Sequence, residues 1–460
     1  MSENFGLLDF VGTYGPPINL LYLVGALEKQ GFNAGIIDLT HDQRSLAECA
    51  DSIAASGAEI VGVAVHFTFL VPRALELLSL IKERQPSITI VAGGVHFTAL
   101  PEKTMNECAH IDIGVIGEGE ETIVDIVRCH KQGMQLDKVP GIIYRDGGRI
   151  VKTGRRALIS NLNDLSFPDY SRIDLSLYYP AIHLARKARN FMITTSRGCP
   201  FQCTFCDRTV LGSEVRNFSS EYISRMIDHL IEKYNAECLL LEDENFCIRQ
   251  DRFRDICDIL REKFLKYNIT WSCCLRADSV EPWMGKVMYD SGCRAAIFGI
   301  ESGSQRMLDT YRKRLNVNIL AEKCRIIRNA GIRLSGSFIV GGPGENEESV
   351  NETIRLVRKI ELDYIFLWYF MPYPGSAIYK DIESAGEIMG DYSNHSGHRI
   401  AFVPRTMSRK QLELSYKKIY RAFYTRPSVV LRIIRQYGLS GLPEFFKNGF
   451  KYLWRFIVNK

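Results

Sequence analysis

The 460-residue sequence predicts an α/β protein: a doubly wound parallel sheet, then a partial barrel of six strand–helix units, then a helical extension. Two observations predict this order. Short apolar runs alternate with amphipathic stretches in residues 1–135 and again in 189–390, which is typical of parallel βαβ units. After residue 390 only helical spacing continues, and basic residues accumulate there.

The segment 1–135 contains five strand-like apolar runs and four helix-like stretches, three of them between the strands and one after the fifth strand. The predicted strands are Phe5–Val11, Ala34–Ile37, Ile60–Val65, Ile88–Ala92 and Ile113–Ile116. The predicted helices are Ile18–Gln30, Ser45–Ala55, Leu70–Arg84 and Glu118–Arg128. We expect helices on both faces of this sheet and ligands beyond the carboxyl ends of its strands.

Glycine and polar residues follow two of these strands. Gly93, Gly94 and His96 come after the fourth, and the run Gly117-Glu118-Gly119-Glu120 comes after the fifth. Glycine lets a ligand approach the backbone, although turn geometry and acidic residues in a first helical turn explain such runs equally well. Residues 136–188 form a connector, in which alternating polarity around Gly147-Gly148 predicts a small β-hairpin followed by an irregular crossing.

Three cysteines stand close together just after the connector. Cys199, Cys203 and Cys206 have the spacing C-x3-C-x2-C. Three thiolates on one loop can hold three irons of a 4Fe–4S cluster and leave the fourth iron open. Zinc and simple packing are the alternatives, but zinc sites normally complete four ligands from a second cysteine pair or histidines.

The segment 189–390 resumes the alternation and predicts six strands. They are Phe191–Thr195, Cys238–Leu241, Thr270–Leu275, Ala295–Ile300, Leu334–Val340 and Tyr364–Phe370. Functional residues of a β/α barrel lie at the carboxyl ends of its strands. The chemically distinctive residues at these ends are Asp243, Arg276, Glu301, Ser302 and Gly342. Helix capping and turn geometry remain open as alternative explanations for each.

The segment 391–460 has helical apolar spacing and a strong positive charge. Residues 405–460 contain 13 Lys and Arg against two acidic residues. A helical cap packed on the barrel is the favoured interpretation, with contact to a membrane surface second and nucleic-acid binding last.

The composition is that of a globular protein, with 46% hydrophobic and 24% charged residues. The sequence shows neither a span of roughly 20 apolar residues nor a signal peptide at its start. Its 13 cysteines form no disulfide framework, which favours a reducing compartment. We expect a cytoplasmic protein that contacts a membrane at most at its surface.

The cysteine loop, with Phe205 before its last cysteine, resembles the cluster loop of the radical SAM superfamily. The segments Gly299–Gly303 and Gly341–Glu345 also resemble that family's strand ends. The resemblance implies a 4Fe–4S cluster on the three cysteines and S-adenosyl-L-methionine contacts from the strand ends. The implied contacts are Phe205, Asp243, Arg276, Glu301, Ser302 and Gly342, with Asp243 facing either S-adenosylmethionine or the substrate.

The first domain resembles the Rossmann-like cobalamin-binding domain that precedes many radical SAM domains. The resemblance implies cobalamin contacts at Gly93, Gly94, His96, Gly117, Glu118, Gly119 and Glu120. The D-x-H-x-x-G motif of mutase-type domains is absent: Asp38-Leu39-Thr40-His41 does not match it. Cobalamin binding therefore depends on the resemblance alone.

The resemblance implies reductive cleavage of S-adenosylmethionine to a 5′-deoxyadenosyl radical that attacks an unactivated carbon, with methyl transfer as the favoured outcome. The alternatives are oxidative cyclisation or carbon–carbon bond formation on the same architecture, and a non-catalytic iron–sulfur or cobalamin-binding regulator. A methylthiotransferase would need a second cysteine trio that this sequence lacks. The implied partners are a small-molecule or lipid-like substrate and a one-electron reductant such as a flavodoxin or ferredoxin.

Overall fold

The structure is a computed structural model that describes residues 15–39, 44–65, 67–178, 189–432 and 434–435. Its strands form two large sheets and two short pairs. The strands are β1 Ile60–Ala64, β2 Thr89–Gly93, β3 Ile113–Val115, β4 Ile142–Asp146, β5 Arg149–Lys152, β6 Asn190–Ile193, β7 Ser196–Arg197, β8 Arg216–Asn217, β9 Cys238–Leu241, β10 Thr270–Leu275, β11 Cys293–Glu301, β12 Arg333–Val340, β13 Tyr364–Tyr369, β14 Gly386–Ile388 and β15 Phe402–Pro404.

The helices lie mostly between these strands. They are α1 Ile18–Lys29, α2 Leu46–Ala55, α3 Val71–Arg84, α4 Val95–Ala99, α5 Pro101–Glu107, α6 Glu120–Gln132, α7 Ser220–Tyr234, α8 Gln250–Tyr267, α9 Met284–Asp290, α10 Gln305–Thr310, α11 Leu320–Asn329, α12 Glu347–Lys359, α13 Ile382–Ala385 and α14 Arg409–Tyr424.

The first sheet has the order β1-β2-β3-β4-β5, with β1 to β3 parallel and β4 and β5 antiparallel. Helices α2 and α3 pack on one face and α6 on the other, each over its own apolar core. This confirms the predicted α/β class with helices on both faces. The hairpin predicted in the connector is β4–β5, and it continues this sheet beyond residue 135.

One predicted strand of the first domain is wrong. The segment Ala34–Ile37 alternates between half-buried and exposed residues but is irregular, and β1 pairs with β2 alone among the described strands. A period-two pattern forms a strand only where a neighbour supplies backbone hydrogen bonds. The predicted strand Phe5–Val11 lies outside the described residues.

The second sheet has six parallel strands in the order β13-β12-β11-β10-β9-β6. All six predicted strands are confirmed, two of them with identical bounds. Such strands are buried on both faces and appear in sequence as continuous apolar runs. In the described part of the chain β6 and β13 do not pair with each other, so the barrel is partial.

The beginning of the basic tail packs on the barrel. On α14 the apolar residues Leu412, Tyr416, Ile419 and Phe423 are buried in the core that they share with the barrel strands. Tyr416 donates a hydrogen bond to the Leu367 carbonyl at 3.0 Å. This segment is therefore a helical cap, while residues 436–460 lie outside the described part. Among the described helices, none has the length and apolarity needed to cross a membrane.

Candidate functional site

The three cysteines lie on residues 198–215, here called the cysteine loop, which connects β7 to β8. Cys203 is buried, Cys199 is half-buried and Cys206 is exposed. The loop begins at Gly198, whose φ is +92° and where a Cβ would overlap the Glu214 carbonyl oxygen. Only glycine fits such a conformation at so close an approach. The loop then turns back through a hydrogen bond from Cys206 N to Cys203 O at 3.2 Å.

The three cysteine thiols are the type of ligand that a 4Fe–4S cluster takes. All three are free cysteines. Among the described residues, no three His, Cys, Asp or Glu side chains are close enough to hold one metal ion. A cluster takes its thiolates on separate irons, which spaces them apart. Burial, followed by the neighbouring Cys203, raises the pKa of the Cys199 thiol. A metal must displace such a proton when it binds.

Arg276, at the end of β10, lies over the cysteine loop. Its guanidinium stacks on the Phe201 ring at 3.8 Å, and Nη1 lies 3.8 Å from Cys203 Sγ. It also donates to the Lys313 carbonyl at 2.5 Å and pairs with Asp278 at 2.8 Å. The structure thus brings the predicted Arg276 to the predicted cluster ligands.

Asp243, at the end of β9, holds the chain that leads into the loop. One of its carboxylate oxygens accepts from Thr195 N at 2.6 Å and Ser196 N at 2.8 Å, and the other accepts from Thr195 Oγ1 at 2.5 Å. Burial raises the pKa of this carboxyl group, and these donors oppose that rise. The contacts found for Asp243 are therefore to the backbone beside β7, and its contact with S-adenosylmethionine stays a prediction.

Glu301 and Ser302 form the end of β11. Glu301 has a φ of +66° and follows a bulge between Gly299 and Glu301. Its buried carboxylate accepts from Lys313 Nζ at 2.7 Å. Ser302 Oγ lies 3.3 Å from Thr353 Oγ1 on α12. A positive φ outside glycine is uncommon and is often found at functional sites.

Phe205 and Gly342 meet at one aromatic side chain, Tyr311. The Phe205 and Tyr311 rings contact edge to face, with centroids 5.3 Å apart. A Cβ at Gly342 would overlap the Tyr311 hydroxyl. That hydroxyl is buried and has no hydrogen-bond partner among the described residues. A buried unpaired polar group is rare and is often completed by a ligand or water.

Four further residues were not among the predicted contacts: Lys313, Tyr311, Glu242 and Glu345. Lys313 contacts both Glu301 and, at 5.8 Å, the Phe205 ring. Burial raises the pKa of Glu242 to about 7, helped by the adjacent Asp243 and Glu244. Burial also raises the pKa of Glu345 to about 7. The acidic run at the end of β9 could have indicated Glu242, whereas nothing in the local sequence marks Lys313 or Tyr311.

The first domain places Gly93, Gly94 and His96 at the carboxyl end of β2. Gly94 has a φ of +106°, and a Cβ there would lie 2.5 Å from the Val65 carbonyl oxygen. His96 is 1% exposed, with Nδ1 3.4 Å from Thr68 Oγ1 and Nε2 unpartnered among the described residues. Burial, then Lys103 and His395, lowers the pKa of His96 to about 4. A buried unpartnered nitrogen beside glycines fits a ligand at this end of the sheet.

The carboxylates of Glu118 and Glu120 form ion pairs with two arginines beside the cysteine loop. Glu118 bonds Arg197 at 2.8 Å and Arg216 at 2.7 Å, and Glu120 bonds Arg197 at 2.6 Å. All four side chains are buried. The structure therefore turns both carboxylates toward the cysteine loop, and their predicted cobalamin contact gains no support from this geometry. Gly117, with a φ of +93°, directly precedes Glu118, and Gly119 separates the two glutamates.

Two family models match this chain, one in each half. A model described as B12 binding domain matches residues 6–127, and one described as Radical SAM superfamily matches residues 193–357. Together they span more than half of the chain and contain every predicted site residue.

Two curated relatives match over most of their length. The chain is 28% identical over 426 residues to an uncharacterized methyltransferase of Pyrococcus horikoshii, covering 92% of this chain and 91% of the relative. It is 26% identical over 456 residues to the anaerobic magnesium-protoporphyrin IX monomethyl ester cyclase of Cereibacter sphaeroides, covering 96% and 73%.

A solved structure shares the fold. The radical S-adenosylmethionine methyltransferase TsrM of Kitasatospora setae, with cobalamin and a 4Fe–4S cluster bound, superposes with a TM-score of 0.69 at 16% identity. The match covers 90% of this chain and 87% of that one. At this identity the likeness shows that the architecture is shared.

Proposed function

Because this chain belongs to the radical SAM superfamily and carries a B12-binding domain before its barrel, we propose that it is a cobalamin-dependent radical SAM methyltransferase acting on an unactivated carbon. One observation carries the proposal. Three free thiols share a loop at the carboxyl end of the six-stranded sheet, and Arg276 lies against one of them.

When bound, the cluster would supply one electron, S-adenosylmethionine a 5′-deoxyadenosyl radical, and cobalamin a methyl carrier. Cys199, Cys203 and Cys206 would each hold one iron, leaving the fourth iron open for the amine and carboxylate of S-adenosylmethionine. Arg276 would lower the cost of buried negative charge on Cys203, from which its guanidinium is 3.8 Å.

The strand ends around Phe205 would bind S-adenosylmethionine. The absence of a side chain at Gly342 leaves room for the Tyr311 hydroxyl, and this buried group, which has no partner among the described residues, would donate to a ligand. The Glu301–Lys313 pair is buried and fixed, so it would orient a ligand without rearranging. Ser302, tied to Thr353, would hold the backbone that follows.

Glu242 would serve the substrate side of the barrel. It follows β9 on the same side as Leu240, which clusters with Met192 on β6 and with Ala295 and Ile297 on β11. With a pKa raised by burial to about 7, its carboxyl group can accept or donate a proton near neutral pH.

Gly93, Gly94 and His96 would contact cobalamin in the first domain, and Gly117 and Gly119 would shape the adjoining loop. The unpartnered His96 Nε2 is the observation that favours a ligand there. The substrate would be a small or lipid-like molecule between the domains, and the reductant a flavodoxin or ferredoxin. Surface contact with a membrane would involve the basic tail.

Oxidative cyclisation is the second candidate, because the cyclase of Cereibacter sphaeroides matches nearly the whole chain. Carbon–carbon bond formation without methyl transfer would use the same residues. A non-catalytic iron–sulfur or cobalamin-binding regulator would keep the cofactors without cleaving S-adenosylmethionine.

The test is anaerobic reconstitution with iron, sulfide and cobalamin, followed by reduction with S-adenosylmethionine carrying a labelled methyl group. We expect about four irons per chain, corrin absorption and release of 5′-deoxyadenosine. Cys203→Ala should lose iron and product, whereas Cys324→Ala, a buried cysteine on α11, should keep both. A cell extract supplies candidate substrates, and transfer of the labelled methyl group to one of its compounds supports methyl transfer. 5′-Deoxyadenosine without label transfer favours cyclisation, and no cleavage at all contradicts catalysis.

A further inference from the structure

The two strands that bracket the cysteine loop carry facing arginines. In the antiparallel pair β7–β8, Arg197 lies directly opposite Arg216. Like charges opposite each other on neighbouring strands destabilise the pair. Both side chains are also buried, with 8% and 5% of their surface exposed, so water cannot screen them. This strand pair therefore needs a compensating negative charge.

Glu118 supplies that charge to both strands at once. Its Oε1 accepts from Arg197 Nη1 at 2.8 Å, and its Oε2 accepts from Arg216 Nη1 at 2.7 Å. Glu120 Oε1 accepts from the other terminal nitrogen of Arg197 at 2.6 Å. Two buried arginines thus meet two buried carboxylates, and the cluster is neutral. One carboxylate binds the residue before the cysteine loop and the residue after it.

The carboxylates come from the other domain, on the segment that follows β3. Gly117 N donates to Thr98 Oγ1 at 3.1 Å, and a Cβ at Gly119 would meet Leu23 on α1 at 2.9 Å. Glu118 Oε2 also accepts from Ile159 N at 2.9 Å. These contacts fix the segment from several sides, so Glu118 is a rigid anchor.

We propose that Glu118 and Glu120 are positioning residues that hold both ends of the cysteine loop, so that the B12-binding domain sets where the three thiols lie. The inference depends on the proposed function only for the identity of the ligand that the thiols take. Removing one partner of a buried pair leaves an uncompensated charge, which a protein relieves by opening locally.

The first test measures the chain without iron. Glu118→Gln keeps the shape of the side chain and removes its charge. Cysteine alkylation is followed residue by residue with mass spectrometry, at one fixed pH. We expect roughly tenfold faster alkylation at the buried Cys203 and little change at the exposed Cys206. The matched control is Glu121→Gln in the first turn of α6, three residues after Glu118, whose exposed carboxylate pairs with Arg156. Equal rates at Cys203 in wild type and Glu118→Gln would overturn the proposal.

A second variant covers the case in which Glu118→Gln does not fold. The double variant Glu118→Gln, Arg216→Gln removes the negative charge of Glu118 together with the positive charge of Arg216. Arg197 stays paired with Glu120, so no buried charge is left without a partner of opposite sign. Faster Cys203 alkylation in this double variant supports the proposal, and the wild-type rate contradicts it.

The third measurement uses the reconstituted protein and its reduced-cluster electron paramagnetic resonance spectrum. We expect Glu118→Gln to change the g values or lower the iron content, while Glu121→Gln matches wild type. Identical spectra and iron content in all three proteins contradict the positioning role. If wild-type protein takes up no iron, the proposed function fails, while the alkylation rates still decide the positioning role.

Discussion

Gly342 is a position where a single methyl group would disturb the candidate site. Its missing side chain leaves room for the Tyr311 hydroxyl, and the Tyr311 ring contacts Phe205 in the cysteine loop. Tyr311 also accepts a hydrogen bond from Thr204 N at 2.9 Å through its carbonyl oxygen. A change at Gly342 would therefore reach the loop through one buried ring.

Gly342→Ala should destabilise the protein by about 1–3 kcal/mol through overpacking against Tyr311. Thermal unfolding of the iron-free protein measures the loss. Gly154→Ala, where a Cβ would meet nothing within 4 Å, should change stability by about 0.5 kcal/mol or less. Adding Tyr311→Phe should restore part of the loss because it removes the clashing oxygen. A Gly342→Ala protein as stable as wild type would contradict this packing.

His96 should make stability depend on pH. Its pKa falls from an ordinary 6.5 to about 4 in the folded protein, because burial and the nearby Lys103 and His395 disfavour its charge. Between these pH values the unfolded chain binds the extra proton, so stability is lost as pH falls from 6.5 toward 4. The loss attributable to this residue is roughly 2–3 kcal/mol.

The measurement compares apparent unfolding temperatures at pH 7 and pH 5. His96→Gln should show a smaller decrease than wild type, and His110→Gln should match wild type. An equal decrease in wild type and His96→Gln would show that the imidazole of His96 is protonated in the folded state or accessible to water.

Element α14 illustrates how burial separates two faces of one helix. Ile419 is 1% exposed in the barrel core, whereas Leu414, on the same helix, is 45% exposed. The sequence predicts an amphipathic helix here but cannot indicate whether protein or lipid covers its apolar face, since both give the same spacing. The hydrogen bond from Tyr416 to the Leu367 carbonyl shows that protein covers the apolar face of this helix.

Ile419→Ala should therefore cost about 2–5 kcal/mol of stability, because it leaves a cavity between α14 and the barrel. Leu414→Ala should cost about 0.5 kcal/mol or less. Denaturant unfolding of both variants beside wild type checks the difference. Similar costs for the two substitutions would mean that α14 does not dock through this face.

Periodicity predicted elements well where burial alone decides the pattern. The six barrel strands are confirmed because a doubly covered parallel strand must be apolar throughout. Ala34–Ile37 has the right residues for a strand and fails because its pattern carries no information about a hydrogen-bonding neighbour. The bulge that gives Glu301 its positive φ is likewise invisible in the local sequence.

At the scale of the whole molecule, contacts between distant residues were beyond prediction. Glu118 is 79 positions from Arg197 and 98 from Arg216, so these ion pairs leave no pattern in the sequence around Glu118. From its local sequence alone, the glycine–glutamate run predicts a ligand-binding loop or the start of a helix. Lys313 is only 12 positions from Glu301, yet no local pattern marks it as the residue that links β11 to the cysteine loop through Glu301 and Phe205.

The first sheet extends into the predicted connector, because β4 pairs with β3 and buries Ile142 and Ile143. A fragment that ends at residue 135 lacks β4 and β5 and therefore exposes the edge of β3. We expect it to aggregate or to bind hydrophobic dyes, whereas a fragment ending at residue 160 should be more ordered. Dye fluorescence and near-ultraviolet circular dichroism compare them. Equal order in both fragments would contradict a structural role for the hairpin.

The neutral cluster of Glu118, Glu120, Arg197 and Arg216 limits how freely the two halves of this protein could be exchanged between relatives. A chimera that takes its first half from a relative without an acid at position 118 would enclose Arg216 without its carboxylate partner and leave Arg197 with Glu120 alone. The two halves are therefore coupled in evolution through these four side chains. A recombinant of two relatives would fold well only where both the glutamates and the arginines are present.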